Sequence, residues 1–281
     1  MIGLRVRTRR QWNLLLPRYL GRAVIYVVLF IMLIIFVFPF YDMLVGSFMD
    51  DTDLFGKYPT VWPKEGFDIE SYLELFRVYN FWRPLINSFV LSTGHTLGVL
   101  FFSSLAGFAF AKRRFPGRDK LFFLMLATMM MPYQTTIIPW YLLMVKILKW
   151  TDTYLPFWIP AWATAFSIFL MRQYIASSIS DELLEAATID GCSVLGLFLR
   201  VVLPVSTPGL AVLAILSFVG SWNEFLGPLL ILSDPNRFTA PLALVAFQGS
   251  PRVAPRYSML FAAVCWPRCR WWVSTFCSSA S

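Results

Sequence analysis

The chain has 281 residues, of which 58% are hydrophobic, 17% aromatic and only 14% charged. Soluble domains carry about 25% charged residues, so the composition excludes an ordinary soluble domain and indicates a membrane protein. The formal net charge of +8 does not indicate nucleic-acid binding. The basic residues stand in short clusters beside apolar runs, which is the pattern that sets membrane topology rather than a DNA-reading face.

Metal chemistry finds little support in the sequence. Cys192 stands alone, and the three remaining cysteines, Cys265, Cys269 and Cys277, have no histidine at zinc-finger spacing. We therefore expect unpaired thiols. His95 lies within an apolar run without a partner nearby, and we expect it to be a packed or pore-facing polar residue.

Apolar runs predict an all-α membrane protein with six spanning helices, each of about 20 residues. The predicted spans are residues 23–40, 85–111, 121–145, 154–171 and 208–232, with a sixth that begins at 257. Arginines crowd residues 1–22, and a second basic cluster covers 112–120. Cytoplasmic loops are enriched in Lys and Arg, so both segments are expected inside the cell. The acid-leaning stretch 46–83 is expected outside, as are residues 146–153 and 233–256.

Several polar and aromatic residues within the spans suggest a substrate pathway. Asn223 and Glu224 fall inside the fifth predicted span, where a carboxylate must face the bundle interior, a neighbouring helix or water. A pathway residue and a hydrogen bond to a helix of a companion subunit are equal alternatives. Pro132 and Pro139 predict a kink in the third span. Aromatic residues that suit sugar stacking, or more simply an interfacial belt, are Trp140, Tyr141, Trp158 and Trp162, with Gln134 and Asn87 as weaker candidates.

The predicted cytoplasmic segment of about residues 172–206 has a helix–turn–helix pattern. Ser180 is a suitable N-cap, and acidic Asp181 and Glu182 favour the start of a helix. Gly191 is suited to the left-handed conformation that ends a helix. A second helix is predicted over 193–202, ending before Pro204. The segment could lie on lipid or dock a protein, and its acidic residues favour a protein.

This segment resembles the EAA motif of ABC importer permeases. The motif positions are Glu185, Ala186, Ala187, Gly191, Val201, Leu203 and Pro204, with Val201 where the family usually has isoleucine. The resemblance extends to about Ala263. Two further segments, 114–118 and 221–226, are similar to the MalG-like branch of carbohydrate importers.

The resemblance implies a cytoplasmic coupling helix seated in a cleft of a separate ATPase, which binds the ATP. Glu185 would pair there with a basic group, and Gly191 would form the turn. It also implies a second permease subunit, a dimer of ATPase subunits and an extracytoplasmic solute-binding protein, in a bacterial inner membrane. The cargo would be a sugar or oligosaccharide, with glycerol phosphate or a polyol as the alternative.

An enzymatic function is not expected. The sequence contains no G-x-x-x-x-G-K-[ST] phosphate loop, so ATP hydrolysis belongs to another polypeptide and no cofactor is expected here. An integral-membrane enzyme would need a catalytic cluster that is not found. A proton-coupled carrier should show internal repeats and several buried carboxylates, and only Glu224 qualifies clearly.

The final residues, 265–281, differ in character from the rest. They are rich in Cys, Trp and Arg, and Arg268 and Arg270 fall where the sixth span should be apolar. A shift of the reading frame near Val264 would replace this tail with an apolar helix that ends in a basic residue. We therefore interpret the chain as a basic N-terminus (1–22), a permease domain (23–264) and an aberrant tail.

Overall fold

The structure, a computed structural model, describes residues 9–54, 62–63, 66–248 and 257–265, which form helices and turns without a strand among them. They divide into two compact units. The first contains the chain before Phe81 together with residues 257–265, and the second runs from Phe81 to Gln248. Each unit has its own packing.

The first unit consists of one long helix with shorter elements around its end. Its helices are Arg9–Gly46 (α1), Asp51–Leu54 (α2), Glu70–Arg77 (α3) and residues 257–265. The Tyr72 hydroxyl lies 2.8 Å from Ser47 Oγ, and Ser71 Oγ lies 3.0 Å from Ser258 Oγ. Hydroxyl pairs therefore join α3 to the C-terminal end of α1 and to the helix 257–265.

The second unit is built around one long helix. Its helices are Trp82–Lys112 (α4), Arg118–Thr128 (α5), Tyr133–Leu142 (α6), Leu155–Trp158 (α7), Ala165–Ser178 (α8), Asp181–Ile189 (α9), Val194–Leu197 (α10), Leu203–Val205 (α11), Thr207–Trp222 (α12), Leu226–Ile231 (α13) and Ala240–Gln248 (α14). π-helical turns occupy Leu143–Ile147 and Phe198–Val202. Helix α4 packs along both α8 and α12.

Close helix packing depends on glycines at the crossing points. A Cβ added at Gly107 of α4 would lie 2.8 Å from Met171 Cβ and 2.9 Å from the Arg172 backbone nitrogen of α8. A Cβ added at Gly209 of α12 would lie 2.6 Å from the ring of Tyr174. Small residues let helix backbones approach closely, which is how helices associate within a bilayer.

Two single helical segments are long and apolar enough to cross a membrane, Gly21–Gly46 and Trp82–Lys112. Two bent pairs raise the number to as many as four in the described part of the chain. The second predicted span, 85–111, is confirmed by α4. The total of six spans stays a prediction.

Three predicted spans have different boundaries in the structure. The third is broken between α5 and α6 by a bend of 98°, much sharper than a kink, because residues 129–132 form a turn that ends at Pro132. The fourth, 154–171, is interrupted between α7, which ends at Trp158, and α8, which begins at Ala165 and continues past the predicted end to Ser178. The fifth is broken after Trp222, so Asn223 and Glu224 lie at a break and not within a helix.

The aberrant tail falls almost wholly outside the described residues, which end at Cys265. The proposed frameshift therefore stays a prediction, as does the further course of the sixth span.

Candidate functional site

The predicted helix–turn–helix is present as an elbow, which we define as residues 180–206. Ser180 Oγ accepts a hydrogen bond from the Leu183 backbone at 3.3 Å and caps α9, which confirms the predicted N-cap. Gly191 has φ +84°, the left-handed conformation that favours glycine, as predicted. Ser193 Oγ caps α10 by accepting from the Gly196 backbone at 3.1 Å.

The second arm of the elbow is longer than predicted. The helical run does not end before Pro204 but continues to Val205, and it turns by 80° into α12 at Ser206. Proline lacks an N–H and clashes with the carbonyl four residues earlier. The π-helical turn Phe198–Val202 ends two residues before the proline and widens the helix there, which lets Pro204 sit inside the run.

The inner face of the elbow belongs to the main apolar core of the second unit. Leu197, Phe198 and Val202 are buried against one another and against residues of three long helices. Those partners are Phe108 of α4, Met171 and Ile175 of α8, and Leu213 of α12. Ala187 and Leu203 of the motif pack on the same cluster. The elbow is therefore held rigidly against the spanning helices.

An ion pair adds a polar tie between the elbow and α4. Lys112 Nζ, at the C-terminal end of α4, donates to Asp181 Oδ1 at 2.7 Å. The Lys112 side chain is only 9% exposed, whereas that of Asp181 is 77% exposed. The hydrogen bond and charge of Lys112 lower the pKa of Asp181 below its ordinary value, with a smaller contribution from Arg114.

The outer face of the elbow is unusually apolar for an exposed surface. Leu183, Val194 and Leu195 are exposed, and Ile189 is 86% exposed. Glu185 is also exposed, as are Ala186 and Pro204 among the motif residues. Asp181, Glu182 and Asp190 are exposed as well. A surface that combines exposed carboxylates with exposed aliphatic side chains has the composition of a docking surface.

A second site lies where two spans are broken. Glu224 Oε1 accepts a hydrogen bond at 3.0 Å from the backbone nitrogen of Gly227, in the first turn of α13. Asn223 Nδ2 donates to the Val219 carbonyl at 2.8 Å. The Tyr133 hydroxyl at the start of α6 is near enough to interact with the Glu224 charge. The Glu224 carboxylate therefore lies within electrostatic range of both breaks, and Gln134 is exposed beside Tyr133.

Two of the aromatic candidates are packed on α4. Trp158 Nε1 donates to the Leu91 carbonyl at 2.9 Å. Its ring packs on Gly94, because a Cβ added at Gly94 would lie only 2.7 Å from Trp158 Cε2. Trp162 Nε1 donates to the Gly94 carbonyl at 3.2 Å. Their N–H groups bond to the helix backbone, so both indoles also have a packing role on α4. Sugar stacking and an interfacial belt stay predictions. Trp140 and Tyr141 pack on a neighbouring apolar cluster.

The opposite end of the second unit carries a hydrogen-bonded loop brace, defined as Asp152 and the segment 233–238. Asp152 Oδ1 accepts from the backbone nitrogens of Ser233 at 2.6 Å and Asp234 at 2.9 Å. Asn87 Nδ2 of α4 donates to the carbonyls of Asn236 at 2.9 Å and Phe238 at 3.0 Å. Asn87 therefore positions this loop.

The remaining polar candidates have ordinary packing roles. His95 Nδ1 lies 3.1 Å from the Phe157 carbonyl, which confirms a packed histidine. Cys192 is a free thiol that packs against the core beneath the elbow. Within the described ranges, no group of three or more His, Cys, Asp or Glu residues could hold a metal ion.

A family model decides the identity of the fold and of the elbow. Residues 99–265, which include the elbow and the broken fifth span, match the model described as "Binding-protein-dependent transport system inner membrane component". The chain belongs to this family. The permease is thus a subunit of an ABC importer, and the resemblance seen at the EAA motif is confirmed.

Named relatives are similar over most of the permease. The arabinooligosaccharides transport system permease protein AraQ of Halalkalibacterium halodurans is 34% identical over 210 residues, which is 74% of this chain and 75% of that protein. The sn-glycerol-3-phosphate transport system permease protein UgpE of Salmonella choleraesuis is 32% identical over 237 residues, 82% of this chain and 83% of its own.

A solved structure shows the same fold. A chain in the crystal structure of a bacterial ABC transporter involved in the import of the acidic polysaccharide alginate superposes with a TM-score of 0.78. The match covers 93% of each chain at 22% sequence identity.

Sequence reasoning missed two features of the site. The Lys112–Asp181 pair joins residues 69 positions apart, and no local pattern reveals it. The packing of the two indoles on α4 could have been suspected from the sequence. Gly94 and Gly98 are four residues apart, a spacing typical of close packing within membranes. A Cβ on Gly98 would overlap the Trp162 ring.

Proposed function

We propose that the permease forms one half of a heterodimeric pore and couples the closure of an ATPase dimer to the import of a sugar or oligosaccharide. The observation that supports this most is the division of the elbow into two faces. Its inner face belongs to the core of the spanning helices. Its outer face exposes Glu185 together with other carboxylates and with aliphatic side chains. ATP is bound by the partner, and the permease needs no cofactor of its own.

The inner contacts explain how movement of the elbow reaches the pore. The elbow shares a buried core with α4, α8 and α12, and close-packed interiors transmit displacement instead of absorbing it. Lys112 and Asp181 fix the start of α9 to the end of α4. A displacement of the elbow by the ATPase would therefore tilt all three helices together.

The loop contacts support a topology with the N-terminus and the elbow in the cytoplasm. Lys112 and Asp181 come from two loops that are both predicted to be inside, and they touch each other. Asp152 and Ser233 come from two loops that are both predicted to be outside, and they also touch. The basic cluster 112–120 then lies beside the elbow, on the side that the positive-inside bias assigns to the cytoplasm.

The pathway is proposed at the junction of the broken spans. Helices interrupted within a membrane are tolerated where they line a cavity or are buried in protein, and transporters place their binding sites at such breaks. Asn223 and Glu224 lie at one break and Tyr133 at the other. The exposed side of α12, which includes Gly220 with no atom near its Cβ position, is available to the second permease.

The charge at this junction favours an uncharged cargo. A carboxylate in a low-dielectric passage repels an anion strongly, whereas carboxylate, amide and phenol groups suit the hydroxyls of a sugar. Among the relatives, one is named for arabinooligosaccharides and another for sn-glycerol 3-phosphate. Glu224 favours the first kind of cargo over the second.

Charge reversal at the outer face of the elbow tests the coupling role. We expect Glu185→Lys to abolish co-purification of the ATPase and ATP-dependent uptake, because it removes the carboxylate that pairs with a basic group. The level of the chain in the membrane should not change, since Glu185 is exposed. A matched control is Glu70→Lys, also at an exposed helical position but in the first unit.

Loss of ATPase binding in Glu185→Lys alone supports the proposal. Unchanged complex formation and uptake in this variant would refute the coupling role. Equal losses in Glu185→Lys and Glu70→Lys would show a general effect of charge and would also refute it.

A further inference from the structure

A cleft of about 430 Å³ opens in the turn between α4 and α5. It is lined by Arg114, Phe115, Gly117, Arg118, Asp119 and Lys120. Its three cations face a single carboxylate, and that carboxylate is engaged, because Arg118 Nε donates to Asp119 Oδ1 at 2.9 Å. The cleft therefore has a surplus of positive charge.

The backbone of the turn adds to this positive character. Gly117 has φ +81° and stands immediately before α5, whose N-terminus is not capped by a side chain. The start of a helix carries a partial positive charge and free N–H groups that suit an anion. Arg114 and Lys120, on either side, are both exposed.

The chain beyond the cleft is apolar and exposed. Leu121, Phe123 and Leu124 follow Lys120 directly and are 51%, 74% and 64% exposed. Beneath them, Phe110 packs against both Phe115 and Phe122, with ring centroids 5.8 and 5.4 Å apart. A cationic cleft thus adjoins an exposed aliphatic and aromatic surface with a rigid aromatic base.

We propose that this cleft binds the phosphate headgroup of an anionic phospholipid, with the acyl chains along the exposed face of α5. The cationic cleft suits the phosphate headgroup, and the exposed apolar face of α5 suits the acyl chains. Basic pockets at the cytoplasmic boundary of membrane helices recognise anionic headgroups in this way. A basic loop that only sets the membrane topology needs positive charge, but it needs neither a cleft nor an apolar face beside it.

The lipid site has a mechanical consequence, because Lys112 lies two residues before Arg114 and is paired with Asp181 of the elbow. A bound lipid would hold the turn against the bilayer and so support the base of the elbow. The proposal depends on the membrane location of the chain and not on its cargo or on the docking of the ATPase.

The test compares lipid retention in three forms of the full-length chain. These are the wild type, the cleft variant Arg114→Gln/Lys120→Gln, and the control Lys146→Gln/Lys149→Gln, which loses the same charge outside the cleft. Each is reconstituted in nanodiscs of phosphatidylcholine with a minor fraction of phosphatidylglycerol. Native mass spectrometry then counts the phosphatidylglycerol molecules retained, with and without added inorganic phosphate.

We expect the cleft variant to bind phosphatidylglycerol about thirtyfold more weakly than the wild type, from the usual gain per basic residue near an anionic surface. The control should retain phosphatidylglycerol as the wild type does. Inorganic phosphate should not displace the lipid, because it lacks the acyl chains that α5 contacts.

Three results would overturn the proposal. Equal retention by the cleft variant and the wild type would exclude a lipid site at this turn. Displacement by inorganic phosphate would indicate a site for a free anion. Equal weakening in the cleft variant and in the Lys146→Gln/Lys149→Gln control would indicate a general effect of charge and no specific site.

Discussion

Substitution of Gly107 by alanine tests whether α4 and α8 must stay in close contact. The new Cβ would lie 2.8 Å from Met171 Cβ, whereas ordinary contacts begin at 3.4 Å. The helices must therefore part by about 0.6 Å, the difference between these distances. The Arg172 backbone nitrogen is equally close, at 2.9 Å, so rotation of a side chain cannot relieve the overlap.

The expected loss of stability follows from two opposing effects. Overpacking in a tight core costs about 1–3 kcal/mol. Alanine is better than glycine within a helix by about 0.5–1 kcal/mol. A net loss of about 1–2 kcal/mol remains, which should lower the apparent unfolding midpoint by roughly 2–4 °C for each kcal/mol.

The assay is thermal unfolding of the purified transport complex in detergent, followed by tryptophan fluorescence at one fixed scan rate. Gly21→Ala is the control, because Gly21 is also within a helix but has no atom within 4 Å of its Cβ position. Only helix propensity changes in Gly21→Ala, so the unfolding midpoint of this control should stay the same or rise slightly. A Gly107→Ala midpoint at or above that of the control would refute the packing argument.

Three further predictions concern the elbow and the pathway. At Gly191, φ is +84° in open space, so Gly191→Asn should retain most ATP-dependent uptake and Gly191→Val should lose most of it; equal uptake would exclude a conformational cause. Lys112 lowers the pKa of Asp181, so the ion pair is complete above the ordinary pKa of 3.8 and is lost only as the pH falls through the lowered value. The wild-type ion pair should therefore cause no change in ATP-dependent uptake between about pH 5 and 8. Asp181→Asn, which leaves a nearly buried ammonium unpaired, should impair uptake at neutral pH more than Lys112→Met/Asp181→Asn does. Finally, Glu224→Gln should raise the uptake of a phosphorylated sugar relative to that of its neutral parent, and an unchanged ratio in competition assays would exclude charge selection at Glu224.

Local signals in the sequence predicted the elbow well. Ser180 and Gly191 are recognised by hydrogen-bonding capacity and backbone conformation, which are properties of single residues. The second span was equally clear because its apolar run is long and uninterrupted. In each case the information needed lies within a few residues of the feature.

The breaks and the long-range ties could not be predicted in the same way. Pro132 marked the place of the α5–α6 break, but a proline does not determine the angle of a bend. The break after Trp222 has no proline or glycine in the first three residues beyond it, so the run 208–232 read as one helix. The partner of Lys112 is set by tertiary packing, which a single sequence does not reveal.

The loop brace at Asp152 lies on the face that the predicted topology places outside the cell, where a solute-binding protein would dock. The segment 233–238 is already fixed by backbone hydrogen bonds to Asp152 and Asn87, so little conformational entropy remains to be lost when a partner docks there. Docking on a preformed surface is fast, because no loop must fold first. The brace would thus give a binding protein a receptor surface that is ready before each encounter, without a folding step to slow association.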